Sequence, residues 1–136
     1  MKIRSFSILA ILVCAIFVAG AFAQTSTSVT YQYGNLTFPG ATATSANGIN
    51  NGNVVVGAYT DSSNLFHGYI YSGGNYTAVN YPGAAQTAVL GINDNSDIVG
   101  WYLLPGAPYS PHGFLRHSGT FTKIDYPGAQ FGTTAA

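Results

Sequence analysis

The chain has 136 residues, with four lysines and arginines set against four acids, all of them aspartate. So sparse a charge set lacks the clustered Lys and Arg that phosphate backbones require, and no nucleic-acid partner is expected. It also leaves few carboxylates for paired acid–base chemistry, and a lone cysteine, Cys14, excludes an internal disulfide framework.

Residues 1–23 read as a signal peptide. Lys2 and Arg4 give a cationic start, an apolar run follows from Ile8 to Ala19, and Ala21-Phe22-Ala23 supplies a small-x-small cleavage site before Gln24. The apolar run is short for a membrane span. Bulky Val13 before Cys14 argues against lipid attachment. The expectation is a secreted protein, extracellular or periplasmic, with no membrane attachment after cleavage.

Residues 24–136 form a β-repeat domain with a period of about forty-four residues. Phe38-Pro39-Gly40-Ala41 returns as Tyr81-Pro82-Gly83-Ala84 and as Tyr126-Pro127-Gly128-Ala129. Gly48-Ile49-Asn50 returns as Gly91-Ile92-Asn93, and Val56-Gly57-Ala58-Tyr59 as Val99-Gly100-Trp101-Tyr102. Further on, His67-Gly68-Tyr69-Ile70 matches His112-Gly113-Phe114-Leu115. The spacing grows from 43 to 45 residues between Tyr102 and His112, which places an insertion in the loop holding Pro105, Gly106, Pro108 and Pro111. This phasing gives a partial unit over 28–38, full units over 39–81 and 82–126, and the opening of another over 127–136.

Each full unit predicts four strands of β-branched and aromatic residues. In the first they cover roughly 45–49, 54–59, 68–71 and 75–81. In the second they cover 88–92, 97–103, 113–116 and 120–126. Asn51-Gly52 has the composition of a two-residue hairpin turn, Asp94-Asn95 is its weaker counterpart, and Ser72-Gly73-Gly74 and Ser118-Gly119 mark the turn into the last strand. The second strand is continuously apolar, as expected for burial on both faces. The last alternates, with Thr122, Ile124 and Tyr126 on one side and Lys123 and Asp125 on the other.

The predicted fold is therefore all-β: tandem four-stranded antiparallel units resembling β-propeller blades, in an incomplete propeller. A β-meander or a β-sandwich is the alternative. Two full units do not close a ring, so the expectation is either self-association through incomplete sheets or a piece of a longer array.

The ordered set Pro82-Gly83-Ala84, Thr87, Gly91-Ile92-Asn93-Asp94, Ile98-Val99-Gly100, His112-Gly113-Phe114, Gly119, Phe121-Thr122 and Ile124-Asp125 resembles the HAF family of bacterial extracellular repeats. The His-Ala-Phe triplet of that family is His-Gly-Tyr at 67–69 and His-Gly-Phe at 112–114 here. The resemblance implies a secreted or surface location in a bacterium. It brings no catalytic residues.

His67 and His112 are candidate binding residues because the repeat places them identically, although that same recurrence favours a structural role, a histidine bonding a turn beside a close-packed glycine. Trp101 replaces Ala58 and so breaks the repeat, which marks it as a candidate contact for a sugar or a protein, with a core or interface role the alternative. Asn93, Asn95 and Asp97 have the oxygen spacing of a calcium loop but too few carboxylates, so no metal and no cofactor are expected. Ser118, His117 and Asp125 lie close in sequence without a nucleophile-elbow motif, and no enzyme is expected. The functional expectation is a non-catalytic repeat module giving a structural or interaction surface at the cell envelope. A glycan-binding module completed by oligomerisation is the alternative.

Overall fold

A computed structural model describes residues 28–106, 109–129 and 132–136. The signal-peptide reading of 1–23 lies outside the described residues. Residues 28–33 are exposed and outside any strand, and Gly34–Ala136 forms a compact unit of its own.

That unit is all-β, with two four-stranded antiparallel sheets. The first runs in chain order β1 (Ala43–Ile49), β2 (Val55–Thr60), β3 (Phe66–Ser72) and β4 (Asn75–Val79). The second repeats it as β5 (Gln86–Ile92), β6 (Ile98–Leu103), β7 (His112–His117) and β8 (Thr120–Ile124). Each sheet is an up-and-down meander like a propeller blade. Among the described residues the two sheets close no barrel and no propeller.

The repeated aromatic-Pro-Gly-Ala segments share one conformation. Ala41 N donates to Phe38 O at 3.1 Å, Ala84 N to Tyr81 O at 3.1 Å, and Ala129 N to Tyr126 O at 3.2 Å. The glycines sit at φ 79°, 77° and 79°. This is a type II turn, with proline fixing the first corner and glycine accepting the positive φ of the second. A threonine then ties each turn down: Thr44, Thr87 and Thr133 Oγ1 accept from Phe38, Tyr81 and Tyr126 N, each at 3.0 Å. In the full units the aromatic ring is thereby laid onto the second strand. Phe38 stacks on Tyr59 at 3.7 Å and 4°, and Tyr81 on Tyr102 at 3.7 Å and 1°. Tyr126 is exposed.

The first hairpin of each unit differs from the two-residue turn predicted at Asn51-Gly52. The positive φ belongs to Asn53 and Ser96, not to Gly52. Asn53 N donates to Asn50 O, and Asn50 N to Val54 O, so the loop has three residues ending in a left-handed position. The Asn50 side chain explains the choice: its Oδ1 accepts from both Gly52 N and Val54 N at 3.0 Å. Asn93 Oδ1 accepts likewise from Asp97 N at 2.9 Å. The turns into β4 and β8 fall where expected and are two-residue turns, Gly73-Gly74 and Ser118-Gly119, with positive φ at all four positions and Ser72 already paired in β3.

Bulges at Asn47 and Leu90 shift the register of β1 on β2 and of β5 on β6. They account for the Val-Gly motif. A Cβ at Gly57 would strike the Ser45 carbonyl oxygen and press the Tyr69 ring at 2.9 Å, and one at Gly100 would strike the Ala88 carbonyl oxygen.

Strand β5 lies against β1, β2 and β3, so the second sheet rests on the first. Val56, Val79, Val89, Ile98, Tyr102 and Phe114 form the core between them, flanked by Ile70, Tyr81, Ile92 and Phe121. Matching turns are bonded across the interface. Asn50 Nδ2 donates to Asn93 O at 3.1 Å, and Asn51 donates to Asp94 through N at 2.9 Å and Nδ2 at 2.7 Å. Asn47 Nδ2, on the bulge, donates to Val89 O at 2.7 Å.

Candidate functional site

The two repeated histidines lie at the starts of β3 and β7, His67 second and His112 first, at equivalent register positions opposite Tyr59 and Tyr102. Each sits near that tyrosine's ring, at 5.1 Å for His67 and 5.2 Å for His112. They stand in separate sheets, each with its own partners.

His67 ties a loop to a strand end. Its Nε2 lies 2.9 Å from Asp61 Oδ2, and its Nδ1 lies 3.1 Å from Asn80 Oδ1. Asp61 Oδ1 meanwhile accepts from Ser63 N and Leu65 N at 2.8 and 3.0 Å, closing the loop between β2 and β3. The Leu65 amide, then His67, hold the Asp61 carboxyl below its ordinary pKa. Neighbouring Tyr59 is pushed up, first by burial and then by the Asp61 charge.

His112 meets a different partner. Asp125 stands where the first unit has Asn80, and its Oδ2 lies 2.9 Å from His112 Nδ1 and 2.7 Å from Lys123 Nζ. Burial works against ionising Asp125, but Lys123 and His112 outweigh it and leave its pKa lowered. Asp125 Oδ1 is buried with no hydrogen-bond partner among the described residues. A groove of mixed polarity opens here, lined by Ser110, His112, Asp125, Thr133 and the turn Tyr126-Pro127-Gly128-Ala129. It brings together a carboxylate, an imidazole and an exposed phenol ring.

Trp101 lies on β6 beside Tyr102 and packs edge-on against Phe66, the residue before His67, at 5.9 Å and 71°. It is half-buried and spans the two sheets. No contact joins it to either histidine in the aromatic geometry.

Asn93 and Asp97 bond each other across the hairpin, Asn93 Nδ2 donating to Asp97 Oδ2 at 3.0 Å, and Asp97 Oδ1 lies 2.6 Å from His117 Nδ1. Asn93, then His117, lower the Asp97 pKa. Among the described residues no three His, Cys, Asp or Glu side chains gather around a common point. The sequence reading missed the Asp61–His67, Asp97–His117 and Asp125–Lys123 contacts, because the aspartate of each has no aspartate at the matching position of the other unit. The charged residues themselves, so rare in this chain, were the available signal.

The acid side of the stability profile follows. Asp61, Asp97 and Asp125 all have folded-state pKa values below the ordinary 3.8. Their contribution is full above that value and is lost as pH falls through the lowered ones. The melting temperature is expected to fall below pH about 4, and an Asp61→Asn, Asp97→Asn double variant to flatten that fall. Thermal melts across an acid pH series check it. An unchanged slope would contradict it.

Comparison with protein-family models, with curated proteins and with solved structures finds no match for this chain.

Proposed function

We propose that the chain is a secreted, non-catalytic repeat module offering a structural or interaction surface at a bacterial cell envelope, akin to the HAF-type repeats its motifs resemble. One observation carries the reading. The few groups able to do chemistry are engaged in holding turns and strand ends: Asp61 with His67, Asp97 with His117, Asp125 with His112 and Lys123. No hydroxyl or thiol nucleophile is bonded to any of these histidines among the described residues. The N-terminal leader pattern supports export.

Expression in a bacterium with the chain's own N-terminus tests location and processing together. The expected product lies outside the cytoplasm and begins at Gln24. Full-length protein retained in the cytoplasm would refute export. Broad hydrolase assays on the purified protein are expected to stay at background, and turnover abolished by Asp97→Asn or Asp125→Asn would refute the non-catalytic reading.

A second reading, glycan binding, has one feature in its favour: the exposed Tyr126 ring flanks the His112–Asp125 groove. Flat rings beside hydrogen-bonding groups suit sugars. A glycan array separates the readings, with reproducible binding abolished by Tyr126→Ala favouring the second. Binding abolished by Trp101→Ala would place the contact at the sheet junction instead.

A further inference from the structure

The interface between the two sheets is a template that the molecule displays again, only partly covered, at both ends. Since the two units are equivalent, each repeat position should be equally buried in both. It is not, and the differences fall into two sets. On the face of the first sheet turned away from the second, Ile49 is 63% exposed and Ala46 is exposed, whereas their counterparts Ile92 and Val89 are covered, Val89 completely. On the face of the second sheet turned away from the first, Ile124 is 41% exposed, whereas its counterpart Val79 is 5% exposed. Val99 is half-buried where Val56 is fully buried. Shallow, mainly apolar recesses lie at both places, one lined by Leu36, Ala46, Ile49 and Val55, the other by Gly91, Val99, Leu115 and Ala136 with Asp97 at its side.

We infer that these two faces bind each other between molecules: a second copy of this chain seats its first sheet on the second sheet of its neighbour, as β5 and its sheet seat on the first sheet within one chain. The inference is independent of the function proposed above.

The polar groups agree with this occupant. In the internal interface Asn51 donates to Asp94 and Asn50 to Asn93 O. Between copies Asn93 takes the place of Asn50 and faces the Asn50 carbonyl of the neighbour. Asp94 takes the place of Asn51 and faces the neighbour's own Asn51, whose amide supplies both a donor for the carboxylate and an acceptor for the Asp94 N–H. Where an internal bond has no equivalent, the polar side chain or its donor is missing too. Phe66 N donates to Gln86 Oε1 inside the chain, but the corresponding pair is Pro111, without an N–H, and Ala43, without a side-chain acceptor. Asn47, which donates to Val89 O, corresponds to Leu90, which has nothing to donate. No side-chain donor is thus left to be buried unpaired, the arrangement that costs most. The chain's own residues 133–136 hold part of the incoming site: Thr133 N donates to Pro111 O, and Ala135 lies by Gly113 as Val89 lies by Gly68. Their small side chains leave Ile124 exposed, so the partner's β1 displaces them to complete the cover.

Such a contact is heterologous, because the two surfaces differ, and it adds copies in one direction until a ring closes or a filament grows. Light scattering on the purified full chain across a concentration series reads it out. The expected mass rises past twice that of one chain. Ile49→Asp blocks one end and Ile124→Asp the other, so each variant alone is expected to remain a single chain. Mixed in equal amounts they should form a pair of twice the single-chain mass and stop there. Ile49→Thr and Ile124→Thr, which keep β-branching, should assemble at higher concentration than the unaltered chain. A β-sheet circular dichroism spectrum verifies the fold of each. The inference is overturned if the unaltered chain keeps single-chain mass throughout, if either Asp variant assembles as the unaltered chain does, or if the mixed variants fail to pair.

Discussion

Phe114→Ala is expected to lower stability by about 3–5 kcal/mol, the usual range for emptying a buried phenylalanine site. Phe114 is completely buried and belongs to the core that joins the two sheets. It meets Phe121 edge-on at 5.4 Å and lies tilted against Tyr81 at 6.1 Å. Removing it loosens both the β7–β8 pair and the seat of the Tyr81 turn. A domain of this size has a net stability of only about 5–15 kcal/mol, so the melting temperature should drop by roughly 15–30 °C. The equivalent residue in the first sheet, Tyr69, gives an internal control. Its hydroxyl is buried without a partner among the described residues, and burial, then Tyr76, raises its pKa. Tyr69→Phe removes an unpaired polar group and should be neutral or stabilising by about 1 kcal/mol. Chemical denaturation of both variants provides the check. A Phe114→Ala loss below about 1 kcal/mol would mean that this ring is not in a packed core.

Gly100→Ala should cost about 3 kcal/mol or more, at or beyond the upper end of the usual overpacking range. The obstacle is backbone: the new Cβ would meet the Ala88 carbonyl oxygen and, at 3.0 Å, the Phe114 ring. A carbonyl within a paired strand cannot swing aside without breaking the β5–β6 ladder. Gly52→Ala is the contrast. Its added Cβ meets only the Asn50 side chain, at 3.3 Å, and Gly52 has no positive φ. That change should lie within about 0.5 kcal/mol of neutral, since it restricts the unfolded chain without straining the folded one. A turn with its left-handed residue at Gly52 would instead make Gly52→Ala costly, so denaturation midpoints for the pair also decide between the two turn geometries.

The division into repeats was readable because the most constrained positions recur as letters. Pro-Gly needs one turn geometry, the strand glycines need one close approach, and the apolar runs Val54-Val55-Val56 and Ile98-Val99 mark the starts of β2 and β6. The hairpin geometry at Asn51-Gly52 was misread because the dipeptide rule ignores the preceding residue. Asn50, by binding Gly52 N and Val54 N, selects the three-residue loop. The alternation of the last strand marked it as an outer, more exposed element, and β8 is exposed along most of its length, with Phe121 the residue packed against the core and Tyr126 past the strand end. Periodicity identifies two faces and does not say which one has a neighbour. Trp101 looked like a binding contact because it breaks the repeat. Its ring packs on Phe66, and the insertion that follows it in the chain is where the two units diverge. The histidines were found by recurrence, while their aspartate partners, which differ from unit to unit, were not.

The stacking of two equivalent sheets through matching residues is tested most directly by nuclear Overhauser contacts in solution. The Gly68 Hα protons should show cross-peaks to a Val89 methyl, with further contacts between Asn51 and Asp94, alongside the ladder contacts within each sheet. Intact ladders without any cross-peak between the two sheets would contradict it, leaving two independent meanders and no shared core.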